Sequence, residues 1–223
     1  MDFISQISST YLFKDLSEEQ LSLIEKNSTE VVFGTRDIIY KQGSYASHAV
    51  YLLEGFVKVY VDKGKIRRIV KIVKPNWFVG LLSVYSYEKH IFSASAISDV
   101  KVRMIDKNAL RQVLHENIRF NEKFIQVISM LGTNLTQFLV LQNTKNVRGR
   151  IAEILLHFSE VVYKSDVFPM TFTRKELGHL ANTSTETAIR ILNDMRFDEV
   201  LEITDKKIYI KDKTRLNNIF QLG

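Results

Sequence analysis

The sequence of 223 residues contains no cysteine. This absence excludes disulfides, thiolate zinc sites, cysteine-ligated iron–sulfur clusters and cysteine nucleophiles, and it fits a reducing compartment. No apolar run approaches the roughly 18 residues that a membrane span needs. The opening MDFISQISSTYLF lacks the basic, apolar and small-residue succession of a secretory signal. We therefore expect a cytoplasmic protein.

Catalytic patterns are also missing. The sequence shows no Ser/His/Asp set, no phosphate-binding glycine loop and no His, Asp and Glu cluster with metal-ligand spacing, so we do not expect an enzyme or a metal site. Hydrophobic residues make up 45% and charged residues 25%, an ordinary globular composition. The net charge of +6 favours a polyanionic partner. However, only 13 basic against 11 acidic residues follow position 142, so charge does not locate a nucleic-acid interface.

Short β-rich runs broken by turn residues fill positions 29–106. The runs are 31–33, 37–40, 49–53, 56–61, 66–73, 91–97 and 100–105, with breaks at Gly34, Gly43, Gly55, Gly64 and Pro75-Asn76. Many short strands at this spacing predict a sandwich or a rolled barrel. A helix precedes this region, with Ser17 as its expected N-cap.

Helical periodicity takes over after Asp106, which can cap a helix through Leu114. A longer helix follows Asn117, and its apolar residues Phe124, Ile128, Leu131, Leu135 and Phe138 step by four and three. This is a heptad-type seam. Apolar residues also occupy the opposite side, so the helix needs two partners. We predict that it packs on its own roll and pairs with a second copy of the chain; packing on the roll alone is the simpler alternative.

A helix-turn-helix is predicted from Thr173 to Met195. Thr173 and Glu176 form a capping-box pattern for its first helix. Gly178 permits close approach of a second helix, and Asn182 tolerates the left-handed conformation of a tight turn. Ser184 is expected to cap the second helix.

The second helix separates into two faces. Ala188, Ile191, Leu192 and Met195 are spaced to pack inward. The opposite face has the candidate DNA-reading residues Thr185, Glu186, Ile189, Arg190 and Asn193. Arginine can donate two hydrogen bonds to guanine, glutamate can accept from cytosine, and the Ile or Thr side chain can meet a thymine methyl. An ordinary solvated Glu–Arg pair is the alternative for Glu186 and Arg190, which can support each other one turn apart.

Residues 200–210 predict a β-hairpin beside this motif, which is typical of a wing. Lys206 and Lys207 at its tip, and Thr173 and Arg174 at the start of the first helix, are further candidate DNA contacts.

Through these features the whole chain resembles the Crp/Fnr superfamily of bacterial transcription regulators. The resemblance implies an α+β fold, with a double-stranded cyclic-nucleotide-binding-like β-roll at 1–116, a dimerisation helix at 117–142 and a winged helix-turn-helix at 143–223. By the same resemblance, Glu186 and Arg190 read a G·C pair in each half of a palindromic site. The implied partners are double-stranded DNA, a second copy of the chain and RNA polymerase, with no membrane.

The expected effector pocket departs from the family pattern. The pocket positions are occupied by Gly80, Leu81, Leu82, Lys89, His90 and Ile91. Family members have a glutamate after the glycine, whereas this chain has Leu81. The family's arginine is also missing, since no arginine lies between Arg68 and Arg103. A buried phosphate then lacks its strongest partner, so we expect an effector other than cyclic AMP.

The sequence is compatible with more than one kind of effector. The histidines are His48, His90, His115, His157 and His179, and His90 is the first to consider for haem-dependent sensing of nitric oxide or carbon monoxide. A constitutive DNA binder with a vestigial roll is a second alternative. A cyclic-nucleotide-binding module of a kinase or channel is a third, but the winged helix-turn-helix argues against it.

Overall fold

The computed structural model describes residues 3–8, 10–63, 66–84 and 88–223. The chain divides into two compact units, one of residues 1–63 and 70–135 and the other of residues 64–69 and 136–223. Within the described ranges, no helix is both long and apolar enough to cross a membrane. The same ranges hold no group of three or more His, Asp or Glu residues that could bind a metal ion.

Eight strands form a β-roll. They are β1 (Ser28–Phe33), β2 (Ile38–Tyr40), β3 (His48–Glu54), β4 (Val57–Lys63), β5 (Ile66–Val73), β6 (Trp77–Val79), β7 (Ser93–Ala96) and β8 (Val100–Asp106). One sheet has the strand order β1-β8-β3-β6 and the other β2-β7-β4-β5. The strand pairs with a defined register are antiparallel.

Strand β3 shows how the sequence divides its side chains between two cores. Successive residues of a strand point to opposite faces. Ala49, Tyr51 and Leu53 join the core that the sheet shares with the helices, whereas Val50 and Leu52 join the core between the two sheets. All five are at most 4% exposed. The run is therefore continuously apolar because both faces of this strand are covered.

Four helices flank the roll: α1 (Phe3–Ile7), α2 (Glu18–Lys26), α3 (Lys107–Glu116) and the first part of α4 (Ile118–Thr144). The predicted caps are confirmed, because Ser17 forms a capping box with Gln20 and Asp106 accepts from two backbone N–H groups of α3. Phe13, Tyr51, Phe78 and Phe120 pack together in this core, with ring centroids from Phe13 to the other three 5.2–6.0 Å apart.

The sequence-based prediction missed strand β6 because Pro75-Asn76 indicates a turn and only three residues follow it in the strand. Asn76 has a φ of 65°, as a tight turn requires. Gly55 was placed correctly at a break: its φ is 82°, and an added Cβ would lie 2.3 Å from the Asp99 carbonyl oxygen. Gly64 lies outside the described residues.

The second unit contains α5 (Val147–His157), a π-helical turn (Phe158–Tyr163), β9 (Val167–Pro169), α6 (Arg174–Leu180), α7 (Thr185–Phe197), β10 (Leu201–Thr204), β11 (Lys207–Ile210) and α8 (Lys213–Leu222). Its antiparallel sheet has the order β10-β11-β9. The predicted α+β fold class is confirmed. Strand β9 was not predicted, because it has only three residues and ends in proline. Helix α8 was not predicted either.

Helix α8 closes this unit against α5. An added Cβ on Gly149 would lie 2.8 Å from the Gly223 Cα, so only glycine allows this approach. The Lys145 ammonium lies 3.2 Å from the Phe220 ring centroid and also donates to the Phe220 carbonyl. These contacts join both ends of the unit's sequence.

Candidate nucleic-acid interface and sensor pocket

Helix α6 begins as its sequence predicts. The Thr173 amide donates to the Glu176 carboxylate at 2.8 Å, and the Glu176 amide donates to the Thr173 hydroxyl at 3.1 Å. This reciprocal pair is the expected capping box. It fixes the direction in which the chain enters the two-helix motif.

The turn between α6 and α7 is tight. Asn182 has a φ of 48°, and the Thr183 amide donates to the Gly178 carbonyl at 2.8 Å. A Cβ on Gly178 would lie 3.1 Å from the carbonyl oxygens of Thr183 and Ser184. Gly178 is therefore a point of close approach, but it faces the turn at Thr183 and Ser184 and not the side of the second helix as predicted.

Helix α7 has the two predicted faces. Ser184 caps it by accepting from the Thr187 amide. The inward residues Ala188, Ile191, Leu192 and Met195 are all buried. Glu186, Ile189, Arg190 and Asn193 are exposed, and Thr185 is half-buried. The structure thus brings the five candidate reading residues onto one accessible surface.

The ionic partners on this surface differ from the expectation. Arg190 Nη1 lies 3.6 Å from Asp194 Oδ2, so the expected mutual support of Glu186 and Arg190 is replaced by a pair with Asp194. Glu186 is held at the helix start, where its own backbone N–H and Ser184 hold the pKa of its carboxyl below its usual range. The positive end of a helix dipole favours an anion at that place.

The wing is a two-residue hairpin. Asp205 and Lys206 both have positive φ, at 49° and 58°, which is the geometry of a type I′ turn. Lys206 and Lys207 are exposed at its tip. The Met170 amide donates to the Lys206 carbonyl, which joins the wing to the segment before α6. The predicted hairpin is confirmed, and both lysines are free to reach a phosphate.

Arg174 occupies the first position of α6 and is half-buried. Its Nη1 is buried and has no hydrogen-bond partner among the described residues. Burial lowers the pKa of the Arg174 guanidinium, and the nearby positive charge of Arg196 lowers it further. The unpartnered Nη1 of Arg174 is therefore a hydrogen-bond donor that an anion could use. Sequence reasoning missed Arg196, which is a single charge near the end of α7 with no motif around it.

The interior of the roll is occupied by its own side chains. The Tyr40 and His90 rings are stacked with centroids 3.8 Å apart and are 8% and 6% exposed. Tyr40 Oη and His90 Nδ1 are buried and unpartnered within the described part of the chain. Burial, followed by the charge of Lys107, lowers the pKa of His90. The structure thus places His90 as a buried side chain stacked on Tyr40.

The six expected pocket residues differ in their surroundings. Gly80 has a φ of 75°, and a Cβ there would lie 2.4 Å from Tyr40 Oη. Leu81 is buried in the core shared with the helices and does not face the space between the sheets. Leu82 and Lys89 are exposed, and Ile91 is half-buried. Gly80 and His90 both lie against Tyr40.

Helix α4 corrects part of the expected dimer seam. Phe124 is 2% exposed within the single chain because it belongs to the core beside the roll, so it cannot contact a second copy. Ile128 and Leu131 are also packed partly against that core. The side chains of Leu135 and Phe138 lie outside the described part of the structure. The apolar residues on the solvent side are instead Ile118, Ile125 and Met130, at 75%, 57% and 44% exposure.

Two protein families account for most of the chain. Residues 30–117 match the cyclic nucleotide-binding domain, and residues 149–219 match the Crp-like helix-turn-helix domain. The chain belongs to the Crp/Fnr superfamily. It is a transcription regulator with a DNA-binding helix-turn-helix, in a family of regulators and not of enzymes.

Individual Crp/Fnr relatives are distant but cover the chain. A CRP-like cAMP-activated global transcriptional regulator of Mycobacterium tuberculosis is 21% identical over 211 residues, 92% of this chain and 94% of its own. The transcriptional activator protein Anr of Pseudomonas protegens is 23% identical over 186 residues, 81% of this chain and 75% of its own.

Solved Crp/Fnr structures share the fold. FixK2 from Bradyrhizobium japonicum has a TM-score of 0.77 at 20% identity and covers 86% of this chain and 96% of its own. A Crp/Fnr regulator from Thermus thermophilus has a TM-score of 0.68 at 20% identity, covering 86% and 98%.

A cyclic nucleotide, which the N-terminal family match implies, does not fit the residues of this Crp/Fnr roll. The Tyr40 hydroxyl covers Gly80, and Leu81 is turned into the other core. No arginine lies between Arg68 and Arg103 to donate hydrogen bonds to a phosphate. A nucleotide would have to displace the Tyr40–His90 stack and would still lack a bidentate partner.

Proposed function

We propose that this chain is a homodimeric, sequence-specific DNA-binding regulator that reads a G·C pair in each half of a palindromic operator through Glu186 and Arg190. The observation that carries the proposal is the surface of α7, where Glu186, Ile189, Arg190 and Asn193 are accessible while the opposite face is buried. An arginine donates bidentately to guanine O6 and N7, and a glutamate accepts from cytosine N4. Ile189, 39% exposed between the two, offers methyl groups to a thymine.

Phosphate contacts supply affinity in this proposal. Thr173, Arg174, Lys206 and Lys207 lie at the start of α6 and at the wing tip, and both elements flank the reading helix in sequence. Contacts of this kind fix the register on the duplex but carry no sequence information. They should therefore change affinity and salt dependence without changing base preference.

Dimerisation is assigned to the solvent side of α4. Ile118, Ile125 and Gly132 are seven residues apart, so they lie along one line of the helix. Both isoleucines are more than half exposed, although they stand on the longest helix of the described chain. A second copy of α4 would cover them. Two-fold pairing would then place two reading helices on half-sites about 34 Å apart.

The effector is proposed to be a molecule other than cyclic AMP, because the Tyr40–His90 stack and the Tyr40 hydroxyl over Gly80 fill the interior of the roll. Haem-dependent gas sensing would use His90, but this imidazole is 6% exposed and one face is covered by Tyr40. A visible spectrum of the purified protein, alone and with added haem, tests that alternative by the presence of a Soret band. Calorimetry with cyclic AMP is expected to give no heat of binding.

Selection from a random duplex pool tests the proposed function. The expected result is a palindromic consensus with one strongly preferred G·C pair in each half. An unselective pool, or a consensus with a single half-site, would contradict it. We propose that the bound regulator acts through RNA polymerase, and a run-off transcription assay on the selected site would detect activation or repression. DNA binding that no small molecule changes would instead favour a constitutive binder.

A further inference from the structure

Asp194 is the acidic group that contacts the proposed guanine reader. Its Oδ2 lies 3.6 Å from Arg190 Nη1, and the two side chains are 44% and 68% exposed. Glu186, the expected partner, lies in the first turn of α7, one turn before Arg190, and Asp194 lies one turn after it. The ion pair that the structure gives Arg190 is with Asp194.

Helix stability does not account for Asp194. The helix ends at Phe197, so Asp194 lies in the last turn, where the negative end of the helix dipole disfavours an acid. A pair in which the acid follows the base is also the weaker orientation for an i, i+4 pair. Exposed pairs of this kind contribute at most about 1 kcal/mol.

A carboxylate beside a DNA-reading surface also has an electrostatic cost. The duplex carries one negative charge per about 1.7 Å of its axis, so an acid on α7 repels it. The Asp194 carboxylate contacts Arg190. An acid at position 194 is therefore unfavourable for the helix and for DNA affinity, but it is well placed to orient the side chain of Arg190.

We propose that Asp194 is a positioning residue for Arg190. This inference rests on the proposed function, in which Arg190 reads guanine. A guanidinium has five N–H donors in a fixed fork. With Nη1 directed to Asp194, the edge formed by Nε and Nη2 faces away from the carboxylate and can donate to guanine O6 and N7. Asp194 thus restricts the arginine to one edge and keeps it from binding a neighbouring phosphate.

Asp194→Asn tests this role because it keeps the shape of the side chain and removes its charge. At 3.6 Å the contact is an ion pair and not a hydrogen bond, so the neutral side chain loses it. Dissociation constants are measured on the selected operator, on the three duplexes that replace the G·C pair, and on unrelated DNA. We expect tighter binding to unrelated DNA, and a preference for guanine that falls about two- to fivefold.

Asp205→Asn is the matched control. Asp205 is exposed at the wing tip and has a positive φ, which asparagine tolerates. Removing its charge should raise the affinity for every duplex by a similar factor and leave the preference for guanine unchanged. If Asp194→Asn behaves in the same way, Asp194 acts only through its charge on DNA and the positioning role is wrong.

Arg190→Ala separates this inference from the proposed function. If Arg190→Ala loses the preference for guanine and Asp194→Asn does not, only the positioning role fails. If Arg190→Ala keeps that preference, the proposed reading residue is wrong. In the Arg190→Ala background, Asp194→Asn should cause no further loss of discrimination, since the group that it orients is gone.

Discussion

The Tyr40 side chain fills the space over Gly80 inside the roll. The free energy of unfolding of variants at these two positions tests this packing. Gly80 has a φ of 75°, which costs a residue with a Cβ about 1–2 kcal/mol. The added Cβ of alanine would also lie 2.4 Å from Tyr40 Oη. Tyr40 cannot easily move away because it is 8% exposed and stacked on His90. Overpacking of this kind costs about 1–3 kcal/mol, so Gly80→Ala should destabilise the roll by about 2–5 kcal/mol.

Tyr40→Phe removes the clashing atom and provides the matched background. The nearest Tyr40 atom to the new Cβ is then a ring carbon at 3.1 Å, and most of the overpacking is relieved while the backbone strain stays. Gly80→Ala should therefore cost only about 1–2 kcal/mol in the Tyr40→Phe protein. Tyr40→Phe alone should be neutral or stabilising, because the hydroxyl is buried without a partner.

The assay uses Trp77, the single tryptophan of the chain, which lies in β6 next to this site. Its fluorescence during urea unfolding reports the roll and not the second unit. The free energy of unfolding is compared for the wild type, both single variants and the double variant. If Gly80→Ala costs the same in both backgrounds, Tyr40 does not fill the space over Gly80.

Three further predictions concern the helices, the roll and the phosphate contacts. Ile125→Asp should give a monomer by sedimentation with an unchanged far-UV spectrum, since this residue is 57% exposed in one chain; an unchanged dimer mass would refute the α4 interface. The pKa of His90 is lowered by burial, so its stabilising contribution is present above about pH 6.5 and is lost as the pH falls through the folded-state pKa. Urea unfolding from pH 7.5 to 5 should show this loss, and His90→Phe should reduce it; an equal loss in both proteins would refute the assignment. Arg174→Ala should weaken binding to all duplexes and reduce the salt slope by about one, whereas Arg119→Ala, an exposed charge in the other unit, should leave that slope unchanged.

Local signals in the sequence predicted the two-helix motif well. Thr173, Gly178, Asn182 and Ser184 each act within a few residues of the chain, through a cap, a close approach or a positive φ. Such features depend on backbone chemistry and little on tertiary packing. For the same reason the wing and most strands of the roll were predictable.

Features set by packing between distant segments were less predictable. Phe124 has the spacing of a dimer seam, but the roll already buries it, and periodicity does not say which partner covers an apolar face. Tyr40 and His90 are 50 positions apart, and no sequence signal shows that they stack. The predicted partner of Arg190 was also wrong, because Glu186 and Asp194 both lie one turn from it and sequence spacing does not say which of them it contacts.

We propose that Arg190 of α7 reads a guanine in the operator. The most direct measurement compares the base preferences of the wild type and Arg190→Ala on the same random duplex pool. We expect the variant to lose discrimination at one G·C pair in each half-site, worth about 1–3 kcal/mol, while the other positions keep their preferences. An identical consensus for the two proteins would contradict it.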